Sequence, residues 1–158
     1  MKHAKLNNLK LRYAEKADIA STLTWANNPQ VRAFAYNQNK ISHEVHTDWF
    51  YSKLESIDCE YYILEVQDKP AGSIRFDIEK NGSAKINYLI DPNYTGKGLG
   101  TYILDNGIKF LHKNRPSIKK VYGYVLKENI ASIKIFNKLS YNKVSDNGSE
   151  LKYEKPIK

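Results

Sequence analysis

The sequence predicts an α/β fold in which helices pack on a mostly antiparallel sheet, and three observations carry that reading. Strand-length apolar runs at 61–66, 71–78 and 84–90, divided by turn residues, read as consecutive antiparallel strands. Apolar residues recur at helical spacing over 17–27, 42–54, 99–113 and 129–139. Between the third strand and the helix at 99–113 lies a glycine-rich turn, Thr95-Gly96-Lys97-Gly98-Leu99-Gly100.

In chain order, Leu9-Lys10-Leu11-Arg12-Tyr13 alternates as a first strand. The helix after it stops at Asn27-Asn28-Pro29, where the proline enforces a break, and a short helical piece follows at 31–36. Ser42 reads as the N-cap of a helix with Val45, Trp49, Phe50 and Leu54 on one face. The first hairpin turns at Gln67-Asp68-Lys69-Pro70. The second turns at Lys80-Asn81-Gly82-Ser83, whose Asn-Gly pair is the one type I′ turns favour. Past the glycine turn, Leu99, Tyr102, Ile103, Ile108 and Leu111 form the apolar side of a helix. A strand at 120–125, a helix at 129–139 and strands at 141–145 and 149–153 follow, giving the order β-α-α-β-β-β-α-β-α-β-β. No repeat, low-complexity tract or linker interrupts it, so residues 1–158 read as a single domain.

Composition narrows the partners. No apolar run approaches the ~20 residues that span a bilayer, and the first residues lack the apolar stretch of a signal peptide, so a cytoplasmic protein without a membrane partner is expected. The single cysteine, Cys59, excludes an intrachain disulfide and sits beside a strand, where burial is its expected fate. The net charge of +8 attracts anions. It is scattered rather than blocked, and no helix-turn-helix, zinc or RNA-binding signature accompanies it, which points away from nucleic acid and toward phosphate-bearing small molecules.

The glycine turn gives such molecules a place to bind. Gly96, Gly98 and Gly100 leave room for backbone amides to approach a pyrophosphate, Lys97 adds charge, and the first helical turn aims unpaired N–H groups at the loop. A P-loop would need Lys-Ser/Thr after its last glycine, but Thr101-Tyr102 follow Gly100. A dinucleotide fingerprint would need an acidic residue about 20 residues on, where Arg115 and Ser117 stand.

With its second half included, the chain resembles the GNAT superfamily of acyl-CoA-dependent N-acetyltransferases. Residues 95–100 look like that family's pyrophosphate loop, Q/R-x-x-G-x-G/A. The segment from Asn129 through Ser132, Phe136 and Lys138 to Tyr141 looks like its second coenzyme segment, N-x-x-A/S-x-x-x-Y/F-x-K-x-G-F/Y. The resemblance implies one mixed, mostly antiparallel, twisted sheet of about seven strands with about four helices on its faces. It implies an enzyme that takes acetyl-CoA as co-substrate and needs no metal. The coenzyme would be held by Leu89, Ile90, Thr95, Gly96, Lys97, Gly98, Leu99, Gly100, Thr101, Asn129, Ser132, Phe136 and Lys138.

Three departures stand out. Thr95 replaces the usual Gln or Arg, Ser140 replaces a common glycine so that an adjusted turn is expected, and Phe136 replaces the Tyr that protonates the leaving thiolate in many members.

The segments 25–32, 41–50 and 72–77 further resemble members that acetylate nucleotide-linked deoxyamino sugars. That implies an acceptor site with Trp25, Asn27, Arg32, His46, Trp49 and Arg75. Peptide N-termini and small amines are the alternative acceptors, a non-catalytic RNA-associated domain is the alternative of another class, and a homodimer stays open. A backbone N–H near Leu89 would meet the thioester oxygen. Asp77, on the strand beside the cleft with Arg75 on the same face, and His46, on the helix over the acceptor side, are the candidates for the base. His43 and His46 lack a third ligand and the H-E-x-x-H spacing of a metal site.

Overall fold

A computed structural model describes residues 8–34 and 39–157. Seven strands form one sheet: β1 (Leu9–Tyr13), β2 (Cys59–Val66), β3 (Lys69–Ile78), β4 (Ser83–Ile90), β5 (Lys120–Leu126), β6 (Asn142–Asp146) and β7 (Glu150–Pro156), in the spatial order β1-β2-β3-β4-β5-β7-β6. All neighbours are antiparallel except β4 and β5. That parallel pair is joined only from Ser83 to Lys85, opposite Lys120 to Tyr122, and beyond it the two strands separate. The sheet is therefore split in its middle.

Among the described residues there are five α-helices around it: α1 (Ile19–Asn27), α2 (Pro29–Arg32), α3 (His43–Glu55), α4 (Leu99–Asn114) and α5 (Ile130–Lys138). One face of the sheet packs α4 and α5 around Tyr62, Ile74, Phe76, Ile103, Leu104 and Leu111. The strands alternate, so Cys59 and Tyr61 point to the other face and pack under Phe50 of α3. Among the described residues, no helix is long and apolar enough to cross a membrane.

Several local expectations change. Pro29 begins α2 as well as ending α1, because Asn28 caps the new helix through its side-chain oxygen at 2.9 Å from the Gln30 amide. Tyr36, the expected end of that piece, lies outside the described residues. On α3, Val45 and Trp49 are 63% and 36% exposed. The buried pair is His46 and Phe50, one turn apart, because the helix faces a cleft with one side and the core with the other. The Asn81-Gly82 pair does not form the type I′ turn, since only Gly82 has positive φ. The non-glycine pair Gln67-Asp68 does take that geometry, with φ of 51° and 66°.

Ser140 does not adjust its turn. It holds φ 64°, the conformation glycine favours, while its amide donates to Asn137 O at 3.1 Å and that of Tyr141 to Phe136 O at 3.0 Å. A left-handed non-glycine residue costs roughly 1–2 kcal/mol, partly offset by the larger unfolded-state entropy of glycine. Ser140→Gly is thus expected to stabilise the fold by about 0.5–1 kcal/mol, read as a raised denaturant midpoint at constant m-value.

Buried charge fixes the first third of the chain. Arg12 grips both oxygens of Asp18 at 2.8 Å and Glu65 at 2.8 Å, tying β1 to β2 and to the turn that opens α1. Asn27 exchanges two 2.7 Å hydrogen bonds with the backbone of Ile41, tying the end of α1 to the residues just before α3.

Candidate active site

A cleft of about 1160 Å³ runs through the split between β4 and β5. One end is walled by the glycine loop and α5, the other by α1–α3 together with Arg75, Asn87 and Tyr124.

At the first end, Gly96 and Gly98 have φ of 79° and 78°, and a Cβ at either would meet nothing within 4 Å. These two are needed for the left-handed backbone that turns the chain into α4. Gly100 is needed for a different reason: a Cβ there would lie 2.6 Å from Ile135 Cδ1, so the glycine lets α4 approach α5. The opening amides of α4 have no partner inside the helix and face the cleft at its positive end. Thr95, Leu99 and Thr101 complete this wall, whereas Lys97 and Lys138 lie outside it. Asn129 caps α5, its side-chain oxygen accepting from the Ser132 amide at 3.3 Å, which leaves its NH₂ to donate to a ligand.

The walls of the split are backbone and aromatic. Asp91 donates to Ala71 O at 2.8 Å on the β3 side. Strand amides alternate sides, so Leu89 is also turned toward β3, opposite Ser73. The expected thioester contact therefore does not belong to Leu89. Tyr88 and Ile90, whose amides face the open side, present donors there. Phe136 lines the cleft with its ring stacked on Tyr153, 5.2 Å away, and carries no hydroxyl. Beside it the Tyr88 hydroxyl meets Ser132 Oγ at 2.6 Å, and burial raises the Tyr88 pKa, keeping the phenol protonated. Sequence reasoning missed Tyr88, because an alternating apolar strand does not reveal which aromatic residue faces a gap between strands.

At the other end, His46 is buried among Thr22, Trp49 and Phe50. Thr22 Oγ1 donates to Asp18 O at 2.8 Å and meets His46 Nε2 at 2.9 Å, so the hydroxyl oxygen accepts and Nε2 carries the ring proton. Nδ1 has no hydrogen-bond partner among the described residues and keeps its lone pair. Burial, with a smaller effect of His43, holds the His46 pKa below 6.5.

Asp77, the other candidate, does not line the cleft. Lys53 holds it at 3.0 Å and Arg75 at 3.2 Å. Burial pushes its pKa up, but Arg75 and Lys53 outweigh that and hold it below the usual value, making it a poor base. Arg75 lines the cleft and lies over the Trp49 ring at 4.9 Å, so Asp77 orients a binding residue. Arg32 and Trp49 line the same end. Trp25 does not, being 4% exposed in the core, and Asn27 is occupied by its clamp on Ile41. Burial also pushes the Cys59 thiol up to about 11, so it stays protonated.

The acetyltransferase (GNAT) domain profile matches residues 8–142. The chain belongs to the GNAT acetyltransferase family. An uncharacterised protein of Methanocaldococcus jannaschii is 27% identical over 136 residues, 84% of this chain, and the match spans 28% of that protein's length. A spermidine N-acetyltransferase from Vibrio cholerae, solved with CoA and spermine, has the same fold at TM-score 0.83 and 16% identity, covering 94% of this chain and 95% of that one. A ribosomal L7/L12 α-N-protein acetyltransferase solved with coenzyme A superposes at TM-score 0.81 and 16% identity, covering 96% and 95% of the two chains. The split sheet and the glycine turn ahead of α4 are thus the features of a GNAT domain.

Proposed function

We propose that this GNAT domain transfers the acetyl group of acetyl-CoA to a primary amine on an anionic acceptor, most specifically a nucleotide-linked amino sugar. The observation that carries the acceptor class is charge. Among the described residues lining the cleft, the charged side chains are Arg32 and Arg75, the latter held by Asp77 from outside the lining. Guanidinium groups at the acceptor end suit a phosphate-bearing acceptor better than a polycationic amine, which would meet like charge there.

Acetyl-CoA supplies an acetyl group already activated as a thioester, which the amine takes by direct attack with release of the thiol. The chain's own groups serve that step in three ways. The opening amides of α4 bind the pyrophosphate and the cleft wall fixes the reacting carbonyl in line with the amine. The Tyr88 and Ile90 amides meet the charge that grows on the carbonyl oxygen. His46 Nδ1 accepts the proton lost by the amine as its C–N bond forms, and the Tyr88 phenol returns a proton to the departing sulfur.

Thiol release assayed with a UDP-linked 4-amino sugar, beside peptides and polyamines, tests this reading. Turnover of the sugar is expected, with Arg32→Ala raising acceptor KM about tenfold and leaving KM for acetyl-CoA within about twofold, since the contact is made only on the acceptor side. Turnover of a peptide N-terminus with none of the nucleotide sugar would sink the sugar acceptor and keep the acetyl transfer.

A further inference from the structure

The sheet face beyond the cleft carries a second cationic and aromatic group. Tyr124 of β5 lines the acceptor end of the cleft across from Arg75 and is 39% exposed. Lys85 Nζ lies over its ring at 5.5 Å and Lys152 Nζ at 5.7 Å, and Lys152 also lies over Tyr122 at 4.6 Å. Register explains the grouping. Lys152 pairs with Tyr124, Lys85 pairs with Tyr122, and side chains at these positions share the face on which Arg75 stands.

The carboxylates nearby are already engaged. Glu79 accepts from the Tyr122 hydroxyl, Glu154 pairs with Lys120 at 3.4 Å, and Asp77 is held by Lys53 and Arg75. Among the described residues, neither Lys85 nor Lys152 has a carboxylate within ion-pairing distance, so both ammonium groups rest on aromatic rings. An exposed ring flanked by two unpaired cations, continuous with a cleft that ends in two arginines, matches a planar base attached to phosphates.

We infer that Tyr124, Lys85 and Lys152 form a subsite for the nucleoside diphosphate part of the acceptor. The base lies against the Tyr124 ring, Lys85 and Lys152 leave that ring to meet the diphosphate from the nucleoside side while Arg75 and Arg32 meet it from the cleft side, and the sugar amine points toward His46. The inference rests on the proposed nucleotide-linked acceptor, and it concerns which residues hold the nucleotide.

Its test uses binding, so that it does not depend on turnover. The domain is first saturated with CoA, which blocks the coenzyme loop to nucleotides, and UDP is titrated calorimetrically, with pyrophosphate in a parallel arm. Saturable UDP binding is expected, weakened about tenfold or more by Lys152→Glu and by Tyr124→Leu, with CoA affinity unchanged. Tyr124 is exposed and Lys152 half-buried, and thermal melts of each variant check that the fold is intact. UDP binding untouched by both substitutions, or no UDP binding by the unaltered domain, would overturn the subsite. Pyrophosphate binding as tightly as UDP would overturn the role of the ring. If the substitutions weaken UDP while no UDP-linked amino sugar is acetylated, the subsite stands and the acceptor reading falls.

Discussion

Replacing His46 with glutamine is expected to lower kcat about a hundredfold or more and to abolish the acid limb of the pH profile, the range one general base supplies. Glutamine keeps an N–H for Thr22 but has no basic lone pair. Thr22 already uses its proton on Asp18 O, so the imidazole must donate through Nε2 and present Nδ1 as the free base. In the folded protein burial holds this pKa below 6.5. The sign follows: between the folded value and 6.5 the unfolded chain binds the proton that the native ring refuses, so stability rises with pH through that window and is lost on acidification. The same depression places the acid limb of kcat/KM below 6.5 and leaves the base neutral at pH 7. KM for acetyl-CoA should stay within about twofold, because the ring stands at the acceptor end. A pH–rate profile of the variant that keeps its acid limb, with a rate within about threefold, would assign the base to another group.

Gly98→Glu is expected to raise the Kd for CoA about a hundredfold or more, which is about 2.7 kcal/mol, while the domain stays folded. Nothing lies within 4 Å of a Cβ at this position, so the cost to the fold is the left-handed φ of 78° alone, about 1–2 kcal/mol. The carboxylate has a separate effect on the ligand. It sits over the positive end of α4, occupies the amides that a pyrophosphate needs, and repels the phosphates. Gly98→Ala separates the two effects: it carries the strain without the charge, and should lower the melting temperature with little change in CoA affinity. Equal loss of affinity in both variants, measured by titration calorimetry, would assign the effect to backbone strain rather than to the anion site.

The glycine loop and the element order were legible in the sequence because they depend on local chemistry. Alternation marked β2, β3 and β4, helical spacing marked α4 and α5, and two short motifs of the GNAT type fell on the strand-to-helix turn and at the start of α5, where Asn129 serves as cap. Misreadings arose where a residue type is compatible with two surroundings. Trp25 and Trp49 are both tryptophans at helical spacing, yet one is buried in the core and the other lines the cleft. Asp77 and Arg75 do share a face of β3, but Lys53 arrives from α3 and makes an ion-paired cluster of what looked like a free carboxylate.

The sequence by itself determined the class of fold, the glycine turn ahead of α4 and the capped start of α5, since each follows from periodicity, glycine spacing and capping within a dozen residues. Only the tertiary structure decided which groups face the cleft. The parallel pairing of β4 and β5 ends at Lys85, and the resulting gap turns the Tyr88 and Ile90 amides, rather than that of Leu89, into donors. The packing of α3 against α1 sets the protonated nitrogen of His46 through Thr22. Strand register brings Lys85, Tyr124 and Lys152 together from three separate parts of the chain. Proton position and charge compensation are properties of neighbours, and these neighbours are distant in sequence.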